Sequence, residues 1–369
     1  MLLTDSTLAP ILELRRTLHE IPELSGTETQ TMETLKSFLR THTTCTIQEQ
    51  DGWFYARRDV SASCPTIAFR ADTDAIPNAA AGQPYHGCGH DGHAAALAGL
   101  AYLTEHCGAA LKYNLLFLFQ PEEETGDGAF KCAAALADER VSAIYGCHTI
   151  PGFRHGTVLL RDDVFACASR GMILRFTGRQ SHAAYPETGC NPASAIAALV
   201  TKLQSLTDRT EQNGRGTVLT TVVGMQVGGQ NFGVSPGSGE LYLTVRAHYE
   251  SDLEALVCAV TDAAHRLCDP CGIGIEISFV DIFPDTVNDT AATQAFRSIL
   301  ESSGIPHMTL KEPMRWSEDF GHYCRRFPGV FFGVGAGEHA PALHTDAFVF
   351  DDTLLPRILQ VWLAVIGLS

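Results

Sequence analysis

The chain has 369 residues, 45% of them hydrophobic, and a formal net charge of −16. That length can build a large core plus a second domain. The negative balance argues against nucleic acid and anionic membrane surfaces as partners, and an anionic substrate would need a local cation or metal. The chain lacks the run of about 18 apolar residues that a membrane span requires. Its start, Met1-Leu2-Leu3-Thr4-Asp5, lacks the basic region and apolar stretch of a signal peptide, which predicts a cytoplasmic protein. Twelve cysteines are then expected to be mostly reduced and buried. Cys268-Asp269-Pro270-Cys271 is a CxxC with no second pair, so a redox or structural-zinc role stays open beside plain packing.

Residues 7–39 read as helical. Ile11, Leu12, Leu14, Leu18 and Ile21 form an apolar stripe interrupted by Pro22, and a second helix opens after Ser25 and Thr27-Glu28. Segments 45–56 and 65–70 read as strands. The second runs into Asp72-Thr73-Asp74, two carboxylates just past a buried strand, where α/β proteins place their chemistry. A solvated turn is the plainer alternative. The densest stretch follows: His86-Gly87-Cys88-Gly89-His90-Asp91-Gly92-His93. Thiolate and imidazole suit borderline and soft divalent metals, and a glycine turn lets Cys88 and His90 face one point. A helix is expected over 92–104.

Leu115 to Phe119 is an unbroken apolar run, the pattern of a strand buried on both faces of a parallel sheet. It empties into Glu122-Glu123-Glu124, which would repel one another without a nearby cation. After a helix to Leu136, a short strand 143–147 presents His148 at its end. This order predicts an α/β domain with its site at the strand ends. From Ala168 the texture changes. Strand 172–176, helix 191–206, strands 218–227 and 241–249, helix 252–268 and strand 274–282 give β-α-β-β-α-β, the pattern of a ferredoxin-like unit. After Pro284 the first texture resumes. The predicted organisation is therefore a catalytic domain from 1–166 and 283–369, with a smaller domain, 167–282, inserted in it.

At this point the chain resembles the metallo-amidohydrolases of the aminoacylase/carboxypeptidase superfamily, in the branch of hippurate hydrolases and indole-acetyl-amino-acid hydrolases. The resemblance rests on Arg15-Arg16-Thr17-Leu18-His19 with Pro22-Glu23-Leu24-Ser25, Arg70-Ala71-Asp72-Thr73-Asp74-Ala75, Cys88-Gly89-His90-Asp91-Gly92-His93, Gln120-Pro121 with Glu123-Glu124, Gly146-Cys147-His148, Ser181-His182-Ala183-Ala184, Ser317-Glu318-Asp319-Phe320 and Leu343-His344. It implies two divalent metal ions per subunit, Zn²⁺ or Mn²⁺, held by Cys88, His90, Glu124, His148 and His344, with Cys88 bridging. It also implies Glu123 as general base, a homodimer formed by the inserted domain, and a His182 that reaches the partner's metal site.

The sequence departs from the family in segments that border the substrate there. The loop between Pro77 and Cys88 is short, Tyr85-His86-Gly87 replaces Met-His-Ala, and Gly233-Val234-Ser235-Pro236 replaces Asn-Val-Ile-Pro. The expected reaction is amide hydrolysis of an N-acyl amino acid. The alternatives are a dipeptidase or carboxypeptidase on the same site, or a non-catalytic binding homologue, which should have lost Glu123 or a ligand. Arg246 is the candidate partner for a substrate carboxylate, since so acidic a protein needs a bidentate cation there. An exposed strand-face arginine is the plain alternative.

Overall fold

Thr66–Asp72 and Asn114–Gln120 are buried along their whole length, the second carrying the unbroken apolar run Leu115 to Phe119 of a strand covered on both faces. They lie side by side in parallel, with Asp72 opposite Gln120. Val141–Pro151 pairs in parallel with Thr66–Asp72, and Gly329–Gly337 with Val141–Pro151. These four strands form the centre of an eight-stranded mixed sheet, and their carboxyl ends share one edge. The computed structural model describes residues 2–78 and 82–368.

The described chain divides into two units. The first is built from Met1–Phe165, Thr286–Glu312 and Asp319–Ser369. Helices cover its sheet, among them the alanine-rich His90–Glu105, buried on nearly every side, and Leu355–Val365 with Trp362 fully buried. The second comprises Ala166–Asp285 and Pro313–Glu318. Its four antiparallel strands, Ala168–Thr177, Val218–Val227, Ser238–Ala247 and Gly274–Phe283, carry the helices Ala193–Asn213 and Glu250–Cys268. Met172, Leu174, Leu199, Leu203, Leu243 and Leu256 lie in the core between sheet and helices. Pro313–Glu318 belongs here because the Cys167 N–H donates to the carbonyls of Met314 and Trp316.

Three local expectations shift. Residues 45–56 are not one strand but a hairpin, Thr46–Glu49 against Phe54–Arg58, turning at Asp51-Gly52 with Gly52 at φ +80°. His148 lies inside its strand rather than at the end. The helix after the cysteine begins at His90, so His90 and Asp91 occupy its first turn. Among the described residues, no helix is long and apolar enough to cross a membrane.

Candidate metal centre

The carboxyl edge of the parallel strands gathers the chemistry of the first unit. Gly89, at φ +88°, caps the helix His90–Glu105, and this left-handed turn sets Cys88 and His90 on a common point. The Cys88 Sγ lies 3.2 Å from His148 Nε2 and 3.3 Å from His344 Nε2. Glu124 Oε1 lies 3.5 Å from His344 Nε2 and 3.8 Å from His90 Nε2. Zn–N and Zn–S bonds of about 2.0–2.1 and 2.3 Å at tetrahedral angles put neighbouring donors about 3.4–3.6 Å apart, close to these separations. Two groups of three donors result, Cys88–His90–His148 and Cys88–Glu124–His344, each with its donor atoms within 4.8 Å of one another. They share Cys88. Glu123, buried at 6% exposure, joins His90 and Glu124 in a third such group.

The donor set fits a cation. His90 Nε2 and Glu124 Oε1 are buried and have no hydrogen-bond partner among the described residues. Orphaned buried polar atoms are costly unless something satisfies them. The other faces of the same groups are satisfied. Asp74 accepts from His90 Nδ1 at 3.1 Å with one oxygen, and with the other from the Glu124 N–H at 2.9 Å and Ser25 Oγ at 2.7 Å. One carboxylate therefore orients two of the donors, the support that metal ligands commonly have. His148 Nδ1 donates to the Thr149 carbonyl at 2.8 Å, which turns the Nε2 lone pair toward Cys88.

The other histidines of the dense stretch have partners of their own, although His86 Nδ1 is buried without one among the described residues. His93 Nδ1 donates to Asp72 at 2.8 Å while its Nε2 accepts from the Thr149 N–H at 3.2 Å. His86 Nε2 meets the Leu18 carbonyl at 3.1 Å. His344 and Glu122 sit at φ +62° and +55°, left-handed values that non-glycine residues rarely adopt and that cluster at functional sites. The His344 N–H donates to Gly87 O at 2.9 Å, which ties its loop to the cysteine turn.

Charge follows the geometry. Burial opposes ionisation of Asp72, yet His90, Arg70 and His93 hold its carboxyl well below the usual range. Burial would lower His90, but Asp72, Asp74 and Glu124 raise it to about 10 in the metal-free protein. Burial, then Glu124 and Glu123, push the Cys88 thiol well up, so a metal is needed to hold it as thiolate. Burial and His93 keep His148 neutral, the form that ligates.

Beneath the site, Arg70 donates to Gln120 at 2.7 Å, Asp72 at 2.6 Å and Asp319 at 2.7 Å, all fully buried. Tyr323 Oη donates to the same Gln120 oxygen at 2.8 Å. Arg70, Asp72, Gln120 and Asp319 stand in the motifs that carry the resemblance, but their joining in one buried network does not follow from spacing. Its signal is an arginine inside an otherwise apolar strand, which burial forces to be paired.

The remaining two sequence-predicted site residues lie in the second unit. His182 is exposed on a short strand, Ser181–His182, paired with Val234–Ser235. Its Nδ1 accepts from the Ala184 N–H at 3.0 Å, and among the described residues its Nε2 has no partner. Arg246 is half-buried and donates to Ser317 Oγ at 2.8 Å and the Arg315 carbonyl at 3.3 Å.

An α/β sheet with thiol, imidazole and carboxylate donors at its carboxyl edge is the arrangement of a divalent-metal centre, and the family match assigns it to the metal-dependent amidohydrolases. The chain belongs to peptidase family M20/M25/M40, matched over residues 68–367. It is 30% identical to the N-acetyl-L-cysteine deacetylase of Bacillus subtilis, a match covering 94% of this chain and 84% of the relative. It is 29% identical to IAA-amino acid hydrolase ILR1-like 4 of Arabidopsis thaliana, over 93% of this chain and 82% of the relative. Its structure is similar to that of a dinuclear metal binding peptidase of the M20 family from Bacillus subtilis, with a TM-score of 0.82, 26% identity and 99% of both chains covered.

Proposed function

We propose that this protein hydrolyses the amide bond of N-acyl amino acids, releasing a carboxylic acid and a free amino acid. The observation that carries the reading is the pair of three-donor groups sharing Cys88, with Glu123 beside them. Cys88, His90 and His148 would hold one divalent ion, and Cys88, Glu124 and His344 the second. Bound there, two ions would lower the pKa of a water from about 15.7 toward 7 and polarise the amide carbonyl. Glu123 takes the proton of the attacking water and returns it to the leaving amine. Thiolate and imidazole favour Zn²⁺, while the carboxylate share suits Mn²⁺. The names of the relatives, a deacetylase and an amino acid conjugate hydrolase, support acyl amino acids as the substrate class.

The second unit follows the order strand, helix, strand, strand, helix, strand of a ferredoxin-like fold. On this reading it is an inserted lid and dimerisation domain, and His182 of one copy donates to the oxyanion formed at the metal site of the other. Arg246 binds the substrate carboxylate. Its guanidinium is held by Ser317, and Arg246→Ala is expected to raise KM for N-acyl amino acids far more than for their amides; equal effects would leave it a structural role. The overall test is a screen of N-acetyl and N-aroyl amino acids against free dipeptides, on chelated protein given back Zn²⁺, Mn²⁺ or Co²⁺. Ion-dependent cleavage of the acyl amino acids is expected. Faster cleavage of dipeptides, or no cleavage with any ion, overturns the reading.

A further inference from the structure

The second unit brings Cys190 to the Cys268-Asp269-Pro270-Cys271 segment at the end of a helix. Cys268 ends the helix Glu250–Cys268, Cys271 ends the single turn Asp269–Cys271, and Cys190 precedes the helix Ala193–Asn213. All three are free thiols. Cys190 Sγ–H donates to the carbonyl of Cys271. This contact makes Cys190 and Cys271 neighbours. The accessibilities differ. Cys271 is exposed, Cys190 half-buried and Cys268 fully buried.

We propose that Cys190 and Cys271 form a reversible thiol–disulfide site whose co-reactant is a low-molecular-weight disulfide. The exposed Cys271, as thiolate, attacks one sulfur of that disulfide. The small S–S bond breaks, one small thiol leaves with its electron pair and takes up a proton, and Cys271 holds the other half as a mixed disulfide. Cys190, deprotonated in turn, attacks the Cys271 sulfur and displaces the second small thiol. Two electrons pass from the protein pair to the small disulfide, and both protons leave on the released thiols. Cys268 stays out: burial, then the neighbouring Asp269, Cys271 and Cys190, push its thiol up to about 11, which leaves little thiolate.

The bond would act on the loop that carries His182. Cys190 closes the base of that loop, exchanging backbone hydrogen bonds of 2.7 and 3.0 Å with Arg179. Tying Cys190 to the turn after Cys268 therefore fixes one stem of the loop to the end of a helix. Native protein is incubated with glutathione disulfide and mapped without reduction. A peptide linking Cys190 to Cys271 is expected, together with slower tryptic cleavage after the exposed Arg179. Dithiothreitol should reverse both. Cys190→Ser should stop at a stable glutathione adduct on Cys271, and Cys271→Ser should prevent the cross-link. A Cys268–Cys271 link, no link in the wild-type chain, or no adduct on Cys271 in the Cys190→Ser variant each overturns the proposal.

Discussion

Glu123 and Glu124 are adjacent in sequence but differently placed. Glu124 is fixed from behind by Asp74 through its own N–H, and its Oε1, without a hydrogen-bond partner among the described residues, lies within ion-pair distance of His90 and His344. Glu123 is more deeply buried, beside both His90 and Glu124. On the proposed reading Glu124 is the ligand and Glu123 the base. Glu123→Gln keeps shape and removes the proton acceptor, so the rate should fall by at least about 10²–10⁴-fold with metal content unchanged. Lost metal with a small loss of rate would exchange the two roles. The same charges make metal uptake a proton-releasing step. In the metal-free protein Cys88 is a thiol pushed up by burial, and His90, raised to about 10, carries a proton at neutral pH. Binding must displace both, so affinity should rise with pH by about tenfold per pH unit for each proton released. Calorimetry in buffers of different ionisation enthalpy counts those protons. Cys88→Ser should release fewer, bind metal weakly and turn over almost nothing; unchanged metal content and activity would remove Cys88 from the site.

The elements that deliver these residues were partly legible in the sequence. The apolar run Leu115 to Phe119 specified a buried strand, and the acidic turn after it lies where a parallel strand ends. The hairpin at Asp51-Gly52 was missed because turn chemistry was outweighed by the strand texture around it. Spacing allowed Cys88 and His90 to face one point but did not exclude His86 or His93. The choice depends on Gly89 capping a helix that starts at His90, which leaves His93 to Asp72 and Thr149. Glu28 was legible only as a helix start. It caps Thr29–His42 without a side-chain bond to it, and instead accepts from the Glu122 N–H at 2.8 Å, supporting the left-handed turn before Glu123. Burial raises its carboxyl to about 7 from an ordinary 4.5. The folded chain therefore binds more protons than the unfolded chain between those values, and stability falls as pH rises from about 4.5 to 7. The full shift corresponds to at most about 3 kcal/mol. Glu28→Gln, which keeps an acceptor for Glu122, should flatten that slope in denaturant titrations of metal-free protein; an unchanged slope would assign it to other groups.

At the scale of the whole molecule, the change of texture near Ala168 and its return after Pro284 suggest an inserted segment, while Pro313–Glu318 carries no comparable signal and joins the second unit through backbone bonds to Cys167 and through the Arg246 side chain. The division has a functional consequence if the proposed dimer is right. His182 is exposed, its Nδ1 is engaged by Ala184, and among the described residues its Nε2 is unengaged, a donor presented outward rather than packed. Attack on an amide carbonyl leaves an oxyanion, and one preorganised donor there is worth roughly 2.7–4 kcal/mol. If each metal site borrows this donor from the other copy, His182→Ala and Glu123→Ala homodimers are both nearly inactive. Mixed and re-formed dimers behave differently. The subunit that retains Glu123 receives an intact His182 from its partner, while the opposite site lacks both groups. One site of two is then complete, and a random mixture, half of it heterodimers, should recover about a quarter of wild-type activity. Should His182 act within its own chain, every site in the mixture lacks one group and activity stays absent. A monomer with full activity would exclude the shared site by a separate route, and size-exclusion chromatography coupled to light scattering distinguishes it.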